Sequence, residues 1–385
     1  MTILFFPDIG WKGLHQRPHH IAKALSKHWH VIWIEPATLI EKSHRIPTEV
    51  GKNIRAVSFP FIPYNARNPF IRMCAKLMLR IALIRKIITA LQRKHLVKIL
   101  APLLPPNESV GVIIQNVLGI DLLRGLKPTF LLYDYIDNIF GFTRLPQYII
   151  TQWKQTISQA NLVTVTSPVL KKQIEPFCAA QIDYVGNGVE YDFFTAKKNL
   201  TPPQDLPAGK PIVAYIGAVY PWLDYGMIMY GAEKMPDVNF VLIGRTHPDI
   251  NRILEQMKSY KNIHILGFKP YNTIPSYLNH CSVGIIPFQK NLLTASVNPV
   301  KFYEYSAGGV PTVATDFSED ICQFPDLVYL VKSKEEFPSQ IRKAMDRTKD
   351  EEFIGKLQTF ARMHDWKSKT EIIIRHIQQL SRSSQ

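Results

Sequence analysis

Lys301 and Glu304 stand one helical turn apart in the segment NPVKFYEYSAGGVPTVAT, which runs from Asn298 to Thr315. Asn298-Pro299 suits the opening of a helix, with Asn at the cap and Pro at the first helical position. Gly308-Gly309 suits its end, because glycine takes the left-handed conformation past a helix C-terminus at little cost. Val310–Ala314 is then apolar, as a strand covered on both faces should be. Free amides at a helix N-terminus, with a Lys added, form an anion site. A carboxylate one turn further in can accept hydrogen bonds from hydroxyls. An anion site beside a hydroxyl site fits the diphosphate and ribose of a nucleotide-sugar. The plain alternative is an ordinary helix–strand turn with a solvated Lys and Glu.

Two further groups invite chemistry. Gln16-Arg17-Pro18 opens a helical pattern, and Arg17 there opposes the helix dipole, so an anionic partner is expected: an acceptor phosphate, or a carboxylate such as Asp137. His15, His19 and His20 are near it and could contact an acceptor. A metal site is disfavoured, since adjacent His19 and His20 point apart on a helix. The segment Tyr133-Asp134-Tyr135-Ile136-Asp137-Asn138 follows a strand, so its acids fall at a strand C-terminal edge. One of Asp134 and Asp137 could orient a hydroxyl, the other cap the next helix. Asp137 is the preferred active-site residue.

These residues need a frame. Short apolar runs at Ile3–Phe6, Val31–Ile34, Ile54–Phe59, Val110–Ile114, Phe130–Tyr133, Leu162–Thr166 and Ile182–Val185 alternate with helical patterns. A second series follows at Ile212–Ile216, Phe240–Ile243, Ile263–Leu266, Val283–Ile286 and Thr312–Ala314. Such alternation implies parallel, doubly wound sheets. Tyr191–Lys210, polar and carrying Pro202, Pro203, Pro207 and Gly209, reads as the linker. The expected division is 1–195, 205–352 and a final helical stretch from 353 to 385, with Glu351–Leu380 as one helix. Ligands should bind beyond the strand C-termini, in the cleft between the two halves.

At 385 residues, with 46% hydrophobic content, the chain can fill two cores. Its four cysteines lie far apart, which suits buried thiols in a reducing cytoplasm. The start MTILFFPDIG reads as a strand rather than a signal peptide. Net charge is +15, and much of the excess sits between Glu49 and Glu108, where there are eleven Lys and Arg and no acid. Within it, Phe70, Met73, Leu77, Ile81, Ile84, Ile88 and Leu91 recur at intervals of three or four. Arg72, Lys76, Arg80 and Lys86 fall around the other side, and Arg85 is off-register. A basic amphipathic helix of this kind suits an anionic membrane surface, although a helix or helix pair packed on the sheet with its basic face solvated would read alike. Nucleic-acid binding is not expected, because the stretch lacks interleaved aromatics and the common motifs.

The segment from Asn298 resembles the donor-binding motif of GT-B glycosyltransferases, specifically family-4-like retaining enzymes of bacterial polysaccharide and teichuronic acid assembly. Tyr133-Asp134-x-x-Asp137 is similar to a segment of the teichuronic-type members. The resemblance implies a GT-B fold, α/β throughout, with two Rossmann-like domains facing across a cleft and a last helix crossing back onto the first. It implies that Glu304 contacts the nucleotide ribose. The family's preceding Glu would fall at Ser296 and is absent here. It also places the Gly10 and Gly13 loop beside the donor phosphates and sugar. The basic pair that many relatives carry in the turn after Ile216 is missing, and Arg245 is its best replacement, with Lys301. Gly267-Phe268-Lys269-Pro270 corresponds to the base-contacting turn. Taken together, the implied donor-site residues are Gly10, Gly13, Arg245, Phe268, Asn298, Lys301 and Glu304. Asp137 and Arg17 are the implied catalytic residues, with no metal and no cofactor. The expected activity is sugar transfer from a nucleotide diphosphate-sugar to a glycan or lipid-linked acceptor, with retention, at the cytoplasmic face of a membrane. Rival readings are an inactive GT-B subunit and a sugar-nucleotide epimerase.

Overall fold

The computed structural model describes every residue except 13–14, 39–45, 62–67, 143–144, 197–200 and 384–385. The first half forms eight strands: β1 (Thr2–Phe6), β2 (His30–Thr38), β3 (Thr48–Gly51), β4 (Ile54–Phe61), β5 (Val110–Ile114), β6 (Phe130–Tyr135), β7 (Leu162–Val165) and β8 (Gln181–Tyr184). They make one sheet in the order β3-β4-β2-β1-β5-β6-β7-β8. The second half forms β9 (Ile212–Ile216), β10 (Asn239–Ile243), β11 (Ile263–Gly267), β12 (Val283–Ile286), β13 (Thr312–Thr315) and β14 (Val328–Val331), ordered β11-β10-β9-β12-β13-β14. Every pairing is parallel except β3 with β4. The reading from sequence omits two short edge strands, the polar β3 and, in the second sheet, β14.

Strand order locates the cleft. In the first sheet the chain leaves β1 for β2 on one side and returns to β5 on the other. In the second it does the same around β9, with β10 and β12 as neighbours. Both reversals create a crevice past the strand C-termini, where loops diverge to opposite faces. Alternate residues of β1 feed opposite faces: Leu4 and Phe6 enter one core with Trp153 and Ile157, Ile3 and Phe5 the other with Ile21 and Trp33. The second domain has one continuous core around Val213, Val241 and Phe302.

Three expected elements differ. The linker begins later, because Tyr191–Thr195 is a short helix whose Phe194 enters the second core. The C-terminal stretch is two helices, Glu351–Met363 and Trp366–Ser383. The first packs into the second-domain core through Phe360 and Ala361. The second crosses back, burying Ile373, Ile374 and Ile377 against the first domain. The break at His364-Asp365 is held by Val189, whose N–H donates to His364 O at 3.0 Å and whose O accepts from Trp366 N at 3.0 Å. The basic stretch is likewise two helices, Pro69–Arg80 and Ala82–Leu100, parted by an extended Ile81. Off-register Arg85 explains itself here: its Nη1 donates to Leu79 O at 2.6 Å and Arg80 O at 2.9 Å, satisfying carbonyls that the first helix leaves open.

Candidate active site

A cavity of about 620 Å³ opens between the two sheets' C-terminal edges. From the second domain, the Val300–Ala307 helix brings Lys301 and Glu304 to its wall. Lys301 Nζ and Glu304 Oε2 are 2.8 Å apart, with the Glu304 side chain 6% exposed and that of Lys301 25%. Two glycines make room for this. A Cβ on Gly217 would stand 3.2 Å from Lys301 Cε and 2.7 Å from the Tyr215 hydroxyl. Gly244, at φ +154°, lies so close to Gly217 that a Cβ would come 1.7 Å from Gly217 O. The loops after β9 and β10 therefore touch backbone to backbone, which only glycine permits. Arg245 follows directly and sets its guanidinium 4.6 Å above the Phe268 ring. Both residues are exposed at the cavity rim.

Asn298 also lines the cavity but does not cap the helix, contrary to the expectation from sequence. Pro299 occupies the cap position, without a side-chain bond. The Asn298 carboxamide turns to the domain junction instead, where its Oδ1 accepts from Asn187 N at 2.8 Å. Its Nδ2 lies 3.0 Å from both Tyr303 OH and Asp320 Oδ1. Ser296, at the position of the absent Glu, is buried and donates to Leu293 O at 2.7 Å. It shapes its own turn.

From the first domain, the Arg17–Leu25 helix presents Arg17. Its carboxylate partner is Asp134, not Asp137. Arg17 Nε and Nη2 donate to the two Asp134 oxygens at 2.9 and 2.7 Å, and Nη1 donates to Gly186 O at 3.0 Å. Gln115 and Thr164 complete the Asp134 shell at 2.8 and 2.7 Å. Burial pushes the Asp134 carboxyl up, but Arg17 and these donors outweigh it and hold it below the usual range. Arg17 borders the cavity while being spent on this pair. Asp134 caps no helix either; Asn138 takes that part, accepting from Phe140 N at 3.1 Å.

Asp137 lines the cavity, and burial raises its carboxyl to about 7. Asp8, just past β1, is exposed. Partial desolvation and the charges of Asp137 and Asp134 push its carboxyl upward. A carboxyl poised near neutrality in the cavity wall, as Asp137 is, can accept a proton from a bound hydroxyl. The rings of His15 and His19 lie 4.8 Å apart, while His20 turns away to Trp366. His19 Nε2 meets Trp11 O at 3.1 Å, and its Nδ1 accepts from Gln16 N at 3.3 Å. His20 stacks on Trp366 at 4.6 Å, and His15 meets Lys23 at 3.1 Å. Burial lowers His19 to about 4 and His20 to about 3, so both stay neutral. Among the described residues no group of three His, Cys, Asp or Glu side chains is placed to hold a metal ion.

Gly10 lines the cavity in a loop pinned by Glu35, whose Oε2 accepts from Trp11 N at 2.7 Å and Trp33 Nε1 at 3.0 Å. Gly13 lies outside the described residues. Arg80 and Lys86 are exposed and do not line the cavity; the side chains of Arg72 and Lys76 are outside the described set. Sequence reasoning missed Trp366, which lines the cavity. Trp366 had no local signal, because a break in the C-terminal helix brings it to the cavity.

Residues 210–347 match the family described as Glycosyl transferases group 1. TuaH of Bacillus subtilis (strain 168), which carries the name of a teichuronic acid biosynthesis glycosyltransferase, is 27% identical over 220 residues. That likeness takes in 54% of this chain and 55% of the relative, about half of each. Among solved structures, sucrose-phosphate synthase of Thermosynechococcus elongatus superposes with a TM-score of 0.74 at 15% identity, covering 99% of both chains. The trehalose-6-phosphate structure from E. coli, bound with UDP-2-fluoro glucose, gives 0.69 at 13% identity, again covering 99% of both. The fold is GT-B.

Proposed function

We propose that this chain is a glycosyltransferase moving a sugar from a nucleotide diphosphate-sugar to a glycan or lipid-linked acceptor in cell-surface polysaccharide assembly, with retention. One observation carries the reading: Lys301, Glu304 and Arg245 face Asp137 across a single cavity at the crevices of both sheets. The family match falls on the half that holds the first three. The B. subtilis relative supports the polysaccharide class, and the E. coli neighbour, bound with a UDP-sugar analogue, supports the donor class.

In this reading Lys301, Arg245 and the amides opening the Val300–Ala307 helix hold the diphosphate, while Glu304 accepts from the ribose hydroxyls. The bond from the sugar's anomeric carbon to the phosphate oxygen breaks as the acceptor oxygen bonds to the same face. The departing phosphate oxygen takes the acceptor proton, and Asp137 orients the acceptor hydroxyl. Fixed positive charge on the leaving diphosphate is the main contribution, since it strengthens as the bond breaks. Arg17 acts through Asp134 as a positioning residue.

The test is thermal stabilisation by a panel of nucleoside diphosphates and their sugars, with and without EDTA, alongside donor hydrolysis. One nucleotide should raise the midpoint irrespective of EDTA, and its sugar should be slowly hydrolysed. No shift and no hydrolysis with any donor would favour the inactive-subunit reading.

A further inference from the structure

The helices Pro69–Arg80 and Ala82–Leu100 carry apolar side chains on the wrong side for a soluble protein. Phe70, Met73 and Leu77 on the first, and Leu83, Ile87 and Leu91 on the second, are each between 52% and 67% exposed. They form one stripe on each helix, at intervals of three and four on the first and of four on the second. The opposite sides are the ones that pack: Ala75 is buried on the first helix, Leu96 and Leu100 on the second. The stripes are therefore not a mislaid core face. Ile84 and Ile88, expected from sequence on the same stripe, are half-buried instead, so the exposed line on the second helix is the neighbouring one. Six large apolar side chains on one helix pair make a patch that monomeric proteins rarely leave bare.

Charge selects the occupant. The stripe on the second helix runs on into exposed Lys94 and Lys98, and Arg80 and Lys86 stand exposed where the helices meet. No acid lies anywhere between Glu49 and Glu108. A second copy of the chain would bring like charges together across the patch. A bilayer with anionic headgroups answers both features, taking apolar side chains at the acyl boundary and the cations at the headgroups. We infer that this helix pair docks the protein on an anionic lipid surface, with Phe70, Met73, Leu77, Leu83, Ile87 and Leu91 entering the interface. The Arg85 bonds to Leu79 O and Arg80 O fasten the first helix to the second, so the pair can enter as one body. Among the described residues no helix is long and apolar enough to cross a membrane, which fits a docked rather than a spanning element.

The experiment is flotation of the full chain with vesicles of phosphatidylcholine alone and of phosphatidylcholine mixed with phosphatidylglycerol. The parent should float with the mixed vesicles and stay down with phosphatidylcholine. Leu77→Asn with Leu83→Asn, and separately Lys94→Gln with Lys98→Gln, should each weaken that binding by about tenfold or more, since both the apolar and the electrostatic parts scale with the groups engaged. Thermal midpoints should stay near the parent's, because all four side chains are exposed. Flotation equal on both vesicles, variants that float like the parent, or a parent dimer that the Asn variant dissolves would each overturn the inference. So would tighter binding to single-stranded RNA than to the mixed vesicles. No arm uses a donor or acceptor, so failure here leaves the glycosyl-transfer reading standing.

Discussion

Asn298 and Asn187 hold each other across the domain junction: Asn187 N donates to Asn298 Oδ1 at 2.8 Å, and Asn187 Nδ2 donates to Asn298 O at 2.9 Å. Asn187 belongs to the loop leaving β8, and Asn298 stands two residues before the helix that carries Lys301 and Glu304. The pair thus ties the first domain to the start of the candidate donor site. Its far side is a buried cluster in which Tyr184 OH donates to Asp320 Oδ1 at 2.9 Å.

Removing either side chain should therefore affect stability and ligand binding together. Asn298→Ala is expected to destabilise the protein by about 1–3 kcal/mol, because it leaves buried donors and Asp320 short of partners. Asn187→Ala should cost less, and the double variant should come close to the sum, since each side chain bonds the other residue's backbone and neither substitution removes the other's bond. Urea unfolding of the four proteins reads both losses, and single variants as stable as the parent would mean that the contact is not formed in solution.

Asp137 gives a pH test. Its carboxyl is raised to about 7 in the folded chain, above the value near 4 of an unfolded one. Between those values the folded state binds the extra proton, so this group's contribution is favourable at low pH and is lost as pH rises toward 7. Asp137→Asn should thus be more stable than the parent at pH 7.5, by on the order of 1–2 kcal/mol, with the gap closing toward pH 4. His19 and His20 work in the opposite sense, being lowered to about 4 and 3, and lose stability as pH falls below the ordinary histidine range. Comparing variant with parent at each pH cancels that background. A gap that is constant with pH would mean Asp137 is charged throughout.

How much of this was visible in the chain depends on the distance over which each feature is decided. The strands were legible because parallel strands covered on both faces are continuous apolar runs, as in the Thr2–Phe6 and Ile212–Ile216 segments. Lys301 and Glu304 were legible because one turn of helix fixes their spacing. Asn298 was misassigned because a cap is a local preference, while its actual partner is 111 residues away. Arg17 was matched to the wrong carboxylate for the same reason: Asp134 and Asp137 differ by one turn of chain, and only the sheet decides which one points inward. The basic helices show another limit. Periodicity reveals that a helix has an apolar face but not whether that face meets protein, and Ile81 breaks the period without any Pro or Gly to announce it.

Glu304 and Lys301 neutralise each other in the unliganded site, so the two substitutions should differ. Glu304→Ala removes the proposed ribose contact and should weaken nucleoside diphosphate binding by about 1–3 kcal/mol. The same change frees Lys301, so inorganic pyrophosphate, which has no ribose, should bind the variant no worse than the parent. Calorimetry with both ligands separates the terms. Parent-like affinity for the nucleotide would remove Glu304 from the donor site.

Gly244 tests whether the backbone contact between the loops after β9 and β10 is needed. A Cβ there would overlap Gly217 O, and the left-handed φ adds strain. Gly244→Ala should cost about 2–4 kcal/mol and displace Arg245 from Phe268, lowering donor affinity beyond the loss of stability. A thermal midpoint within a degree or so of the parent would show that the loops separate easily and that Arg245 is not held by them.

Arg17 and Asp134 form a buried pair with every strong donor matched, and such pairs are costly to break by halves. Arg17→Met should destabilise by about 3–5 kcal/mol, because it strands the Asp134 carboxylate. Arg17→Lys keeps the charge but cannot make two parallel bonds to the carboxylate while also reaching Gly186 O, so it should lie between Met and the parent. Asp134→Asn should also destabilise, and because the folded carboxyl is held low, the difference from the parent should be full above about pH 4 and fade as pH falls below it. If Arg17 instead contacted substrate directly, Arg17→Lys would leave the midpoint unchanged and reduce turnover alone. Chemical denaturation beside donor turnover in the same three variants distinguishes a residue that builds the cleft from one that works in it.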